Sequence, residues 1–317
     1  LDCTEVSRRT MQNAALINKK NEISEAVGSY LLLTKPTIML LVVLSGAVAL
    51  FIEGSLLYSP IKCCAILLAV YLTGGCANAL NQFFEREIDA KMLRTQKRRP
   101  LPQGKIQPTH ALIFTVAIGV IGVLIFGLMF NWLSAMIALG TILFYGFFYT
   151  LWLKPNTPQN IVIGGAAGAM APIGVWAGIT GEIALEPILV FLIVFLWTPP
   201  HFWALALYYK DDYIKAELPM MPIVKGERET LKQMFAYTIL TVMASLWLAV
   251  IHSGWIYDLT SVWLGAMFIK RNWETLQNYS EQSAKKLFYF SITYLFGLFA
   301  ALILDRVVQI ISSNFFN

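Results

Sequence analysis

The sequence predicts an all-α fold: a polytopic membrane protein with nine transmembrane helices. Two observations predict it. The 317 residues are 57% hydrophobic and only 14% charged, with a mean hydropathy of +0.62, whereas about 25% of residues in an average soluble domain are charged. The apolar residues also gather into nine runs, at 36–54, 61–83, 110–131, 133–153, 160–180, 186–208, 231–251, 256–270 and 287–311. Most reach the ~20 residues that a helix needs to cross ~30 Å of hydrocarbon. The eighth, Ile256 to Lys270, is short and is expected to thin the bilayer locally or to gain length from its neighbours.

Charge placement supports the count independently. With the N-terminus in the cytoplasm, every one of the 24 Lys and Arg residues except Lys62 and Arg306 falls in the N-terminal segment or in an even-numbered loop. Basic residues favour the cytoplasmic side, and a lost or extra helix would scramble this alternation. The net charge of +5 therefore reports topology, and no nucleic-acid partner is expected. An odd number of spans puts the C-terminus on the opposite side. Residues 1–30 read as a polar cytoplasmic segment and 31–317 as one transmembrane domain. The segment has no apolar stretch of a secretory signal, and Asp2, Glu5, Glu22 and Glu25 argue against an import peptide. A bacterial inner membrane is the expected setting. The cysteines Cys3, Cys63, Cys64 and Cys76 form no CxxC pair and read as small apolar residues.

The chemistry concentrates after the second run. Asn81, Glu85 and Asp89 are spaced by four. On a helix each such step turns by about 40°, so all three point one way. An acidic face at a membrane helix end is costly unless a cation sits on it. Arg94, Lys97, Arg98 and Arg99 follow closely. Magnesium takes oxygen ligands and is commonly held by one or two carboxylates together with substrate phosphates. Carboxylates, a divalent cation and adjacent Lys and Arg are a way to hold a diphosphate.

Three further segments carry information. The fourth run ends in Lys154-Pro155-Asn156-Thr157-Pro158, and the fifth contains Gly164, Gly165 and Gly168. Small residues at spacing four allow close helix approach and also leave room for a ligand. The sixth run ends Trp197-Thr198-Pro199-Pro200-His201-Phe202-Trp203. Adjacent prolines are expected to break that helix, which a bilayer tolerates only where the backbone is buried in protein or lines a wet cavity. His201 follows the break and is a candidate ligand-contacting residue. The loop after it opens with Asp211 and Asp212. It repeats the pattern of the first loop four helices earlier, a hint of internal pseudo-repetition.

Asn81-xxx-Glu85-xxx-Asp89, followed by Met92 to Pro102, resembles the UbiA superfamily of intramembrane aromatic prenyltransferases. The Thr157–Gly168, Thr198–Ala206, Asp211–Tyr213 and Pro219–Gly226 segments are similar to its haem-farnesylating branch. The resemblance covers about residues 30 to 310. It implies that the bundle surrounds a central cavity open sideways to lipid. It implies a farnesyl diphosphate donor, haem b as acceptor at a vinyl group, and Mg²⁺ bound by Asn81, Glu85 and Asp89, with Asp211 and Asp212 opposite. Two departures stand out. Glu85 replaces the usual first Asp, and the second Asp-xxx-Asp is interrupted by Lys215 and Ala216. Asp212 is the first choice for the second-loop metal ligand. Arg94, Lys97, Arg98 and Lys154 are candidate diphosphate clamps. Phe83, Phe84, Phe148, Tyr149 and Trp203 are candidates to shield an allylic cation. A haem-pathway enzyme or a terminal oxidase is the partner that the resemblance implies.

Two other readings remain open at the level of sequence. A prenyltransferase acting on a quinone precursor would share the acidic face but not the Thr-Pro-Pro-His-Phe-Trp segment. A transporter would also use broken helices, with its charges near the bilayer midplane instead of at one end.

Overall fold

The computed structural model describes residues 24–316 except 216 and 253; the side chains of residues 94 and 314–316 lie outside that description. A short helix α1 (24–33) turns at Thr34 and Lys35 into α2 (Pro36–Glu53). The expected boundary between residues 30 and 31 falls inside α1. Then come α3 (Pro60–Phe84), the short α4 (Arg86–Lys91) and α5 (Leu93–Gln96), α6 (Pro108–Met129), α7 (Trp132–Asn156), α8 (Asn160–Thr180) and α9 (Leu185–Tyr208). After α10 (Lys210–Lys215) and α11 (Met221–Val224), the chain ends with α12 (Glu227–Ile251), α13 (Trp255–Gln277) and α14 (Glu281–Phe316).

Local chemistry sets the helix ends. Proline starts α2, α3 and α6, where its fixed φ suits the first turn and its missing N–H costs nothing. Asn131 caps α7 by accepting from Ser134 N at 3.0 Å. Gly54 ends α2 at φ 83° and Gly181 ends α8 at φ 80°, left-handed positions that glycine adopts without steric cost.

Among the described residues, eight helices are long and apolar enough to cross a membrane, so the chain is a multi-pass membrane protein. The ninth long helix, α13, has 23 residues, about 34 Å at 1.5 Å per residue. The short eighth run thus gains its length from Arg271 to Gln277, a mostly polar stretch that lowers its apolar content. Each long helix packs on the next, and α14 returns to α2. The largest apolar cluster holds Trp203, Tyr257, Phe268, Tyr294 and Phe299, from α9, α13 and α14.

Three backbone features differ from a set of regular spans. The expected break in α9 is absent: the helix runs through Pro199 and Pro200. Neighbours hold it. Trp197 Nε1 donates to Ser291 O of α14 at 2.7 Å, both prolines are buried, and such packing is what lets proline persist in membrane helices. The interruption falls instead in α8, at Met170, two residues before Pro172. In α7, Phe144–Leu153 is wound as a π-helix, a form concentrated at functional sites.

Candidate active site

A cavity of about 270 Å³ lies where one end of α2, α3, α7, α8 and α9 meets the loops after α3 and α9. Its charged groups come from four places: Lys35 before α2, Asp89 on α4, Arg99 in the loop beyond α5 and Lys154 on α7.

The acidic face survives a joint in the chain. The α3 helix stops at Phe84 and α4 begins at Arg86, so no single helix carries all three residues. The ladder continues across the joint, with Glu85 N bonded to Asn81 O at 3.0 Å and Asp89 N to Glu85 O at 2.8 Å. Asn81, Glu85 and Asp89 therefore all turn inward and are buried. Glu85 Oε1 accepts from Lys154 Nζ at 2.5 Å. Arg99 pairs with Asp89 and lies 3.6 Å from Glu85 Oε2. Lys35 Nζ donates to Asn81 Oδ1 at 2.7 Å, and Asn81 Nδ2 donates to Thr150 Oγ1 at 3.2 Å.

Arg99 and Lys154 thus share the two carboxylates, and Lys35 rests on a neutral amide. Burial, reinforced by Arg99, pushes the Lys35 ammonium well below its ordinary pKa. Burial alone would raise Glu85, but Lys154, Lys35 and Arg99 outweigh it and hold the carboxyl below its usual range. An entering anion relieves Lys35, the cation with no carboxylate of its own. The backbone supports the same reading. Lys35 sits at φ 53°, a left-handed conformation that costs a non-glycine residue of order 1–3 kcal/mol and that clusters at functional sites.

Glu85 Oε2 is buried with no hydrogen bond. An oxygen in that state is costly unless something is bound to it. The described residues contain no group of three or more His, Cys, Asp or Glu side chains placed to hold a metal. Magnesium does not need one when phosphate oxygens complete its shell. The donors Asn81, Glu85 and Asp89 fit that requirement.

The other sequence candidates separate. Tyr149 lines the cavity, stacked on Tyr145 with centroids 4.9 Å apart. Lys97 and Arg98 point outward, and the Arg94 side chain lies outside the described residues. Thr95 Oγ1 donates to Asp89 O at 2.8 Å, tying the loop back so that Arg99 enters. Phe148 is exposed and stacks on Trp152, and Phe83 and Phe84 pack edge to face beside the cavity. Trp203 is fully buried against Tyr237, away from the cavity; Trp197 and Phe202 line it instead. His201 is sandwiched between the rings of Trp197 and Phe288. Ser291 Oγ donates to Phe288 O at 2.6 Å, so it accepts from His201 Nδ1–H at 2.8 Å. Asp211 is exposed and Asp212 half-buried on α10; Tyr213 between them and Leu218 lines the cavity with Leu218 and Met220.

Sequence reasoning missed Lys35 as a site residue and did not single out Arg99 from its basic run. A lysine immediately before a proline-started membrane helix was the available signal for the first. The π-wound stretch that aligns Tyr145 and Tyr149 has no such signature.

Comparisons with known proteins identify the family. The model of the UbiA prenyltransferase family matches residues 39–299. The protoheme IX farnesyltransferase of Erythrobacter litoralis is 46% identical over 281 residues, covering 86% of this chain and 91% of that protein. That of Bartonella bacilliformis is 42% identical, covering 92% and 96%. Among solved structures, a digeranylgeranylglyceryl phosphate synthase superposes with a TM-score of 0.74 at 19% identity, covering 89% of this chain and 99% of that one. A UbiA homologue from Archaeoglobus fulgidus bound to DMAPP and Mg²⁺ gives 0.61 at 18% identity, covering 86% and 99%. The chain belongs to the UbiA prenyltransferase family.

Proposed function

We propose that this chain transfers the farnesyl group of farnesyl diphosphate to a vinyl group of haem b: diphosphate leaves, the new carbon–carbon bond forms, and water then adds to the resulting cation and loses a proton, giving the hydroxyethylfarnesyl haem known as haem O. The observation that carries the reading is the buried Glu85–Asp89 pair ringed by Lys35, Arg99 and Lys154 at the mouth of an apolar cavity. Relatives above 40% identity that are named protoheme IX farnesyltransferase support the choice of donor and acceptor.

Diphosphate leaves as an anion, and its departure is eased by charge already in place around its oxygens. Lys35, Arg99 and Lys154 supply that charge, with Lys97 and Arg98 on the approach. Asn81, Glu85 and Asp89 would hold Mg²⁺, with Asp212 as the second-loop carboxylate; an ion bound there would supply positive charge for the leaving oxygens. Tyr145, Tyr149, Trp197 and Phe202 keep water away and present ring faces to positive charge on the allylic fragment. His201, locked behind Trp197, is a positioning residue that sets the ring against which the flat acceptor rests.

The membrane is a bacterial inner membrane, with the site on the cytoplasmic side where the basic loops gather. A haem-pathway enzyme or terminal oxidase is the partner to which the product passes. The test is incubation of purified protein with farnesyl diphosphate, Mg²⁺ and both haem b and an aromatic quinone precursor, with mass spectrometry of the two acceptors. Farnesylated haem that disappears on chelation is the expected result. Unmodified haem with a prenylated quinone precursor instead would move the chain to the other prenyltransferase reading.

A further inference from the structure

The turn that presents Lys35 is gripped by one face of α3. Tyr71, Gly75 and Gln82 follow one another at spacings of four and seven, so they lie within about 40° of each other around that helix. Each meets the turn between α1 and α2. Thr34 Oγ1 donates to Leu31 O at 2.7 Å, so it accepts from the Tyr71 hydroxyl at 2.8 Å. A Cβ on Gly75 would lie 3.2 Å from Thr34 Cβ, so glycine is what lets α3 come this close. Gln82 Nε2 donates to Leu32 O and to Leu33 O, both at 2.9 Å.

The last carbonyls of a helix have no partner within it. Here α1 ends at Leu33, and the chain turns through left-handed backbone at Lys35. Leu32 O accepts from Lys35 N as well, at 3.2 Å, so Gln82 and Lys35 bind the same oxygen. The neighbouring Asn81 holds the other end, where Lys35 Nζ donates to its Oδ1 at 2.7 Å. Two consecutive residues of α3 thus fix the root and the tip of one side chain.

Gln82 serves the turn at the expense of its own oxygen. It is buried, and its Oε1 has no hydrogen bond, a state that destabilises a fold. A side chain needed for packing alone would have no use for a buried amide. The two carbonyls of α1 account for it.

We infer that Gln82 is a positioning residue for diphosphate binding: it holds the turn from which Lys35 reaches Asn81 and the entering anion. The inference rests on the prenyl-transfer reading above only for the choice of diphosphate as that anion.

The test is a double-mutant cycle with Lys35→Met, read by thermal-shift titration of purified protein with inorganic diphosphate and Mg²⁺. Arg99 and Lys154 remain to bind the anion in the Lys35→Met background. Residues that act through one another give non-additive effects, and removing a group that orients a binding side chain costs about tenfold or more. Gln82→Met is therefore expected to raise the half-saturating diphosphate concentration about tenfold in the wild type and less than about twofold in Lys35→Met. In turnover it raises the KM for farnesyl diphosphate by a similar factor and leaves that for haem b unchanged, a split that general loosening of the fold does not give. Thr34→Val, which keeps Gln82 but loses the bonds of the Thr34 hydroxyl, acts in the same direction by about threefold and carries the test if Gln82→Met does not fold. Equal losses in both Lys35 backgrounds, no loss at all, or an equal rise in both KM values overturns the inference. Diphosphate binding with the expected dependence in a protein that leaves haem unmodified sinks the reading of function and leaves the role of Gln82 standing.

Discussion

The two loops that follow α3 and α9 look alike in sequence and differ in space. Each starts at a helix end with carboxylates and continues with basic residues and proline. The first turns its acids inward, where Arg99 and Lys154 meet them. The second leaves Asp211 in the open and Asp212 half-buried, and sends Tyr213, Leu218 and Met220 to the cavity. The difference lies in what covers the acids. The first loop has a threonine that ties it back and cations from two other elements. The second has Lys210, which pairs with Glu227 instead. A buried carboxylate needs a partner to offset desolvation; without one it stays at the surface.

Substitutions can break or sharpen this contrast. The largest effect is expected at Asp89. Asp89→Ala should lower kcat on the order of 10³-fold while the protein still inserts and folds, read by haem turnover with purified enzyme and Mg²⁺. Normal turnover would remove the first loop from the metal site. Lys35→Met comes next, with a loss of about 10²-fold and weaker protection by inorganic diphosphate in a thermal-shift measurement. An unchanged shift would mean that its strained backbone serves packing alone. His201→Ala should raise the KM for haem b about tenfold while sparing that for farnesyl diphosphate; unchanged kinetics and haem spectra would leave it only a packing role. Asp212→Asn is expected to cost a few-fold to about tenfold, and Asp211→Asn less than about twofold, on the scale of ordinary surface changes. Equal effects at Asp212 and Asp89 would show that the second loop closes over the ligand as the first does.

Much of this was legible in the chain itself. Apolar run length placed the long helices, and a spacing of four found the acidic face, because a hydrogen-bond ladder preserves that period even across the joint at Glu85. What sequence missed has physical causes. Lys35 and Arg99 reach the site through loop geometry, which no periodicity encodes. Trp203 faces away from the cavity because it is turned by about 140° from Thr198, which lines it. The continuity of α9 through Pro199 and Pro200 depends on α14, whose Ser291 lies 94 residues from Trp197. The π-winding of Phe144–Leu153 follows a rule that residue identity does not announce.

Every described residue lining the charged chamber lies at or before Met220. The last three long helices contribute none, although α12 and α14 clamp α9 from behind. Chemistry and buttress are thus separate stretches of one polypeptide. Substitutions in the final third are therefore expected to reach the chemistry only through the bracing of α9, above all through the Ser291 bonds to Trp197 and His201.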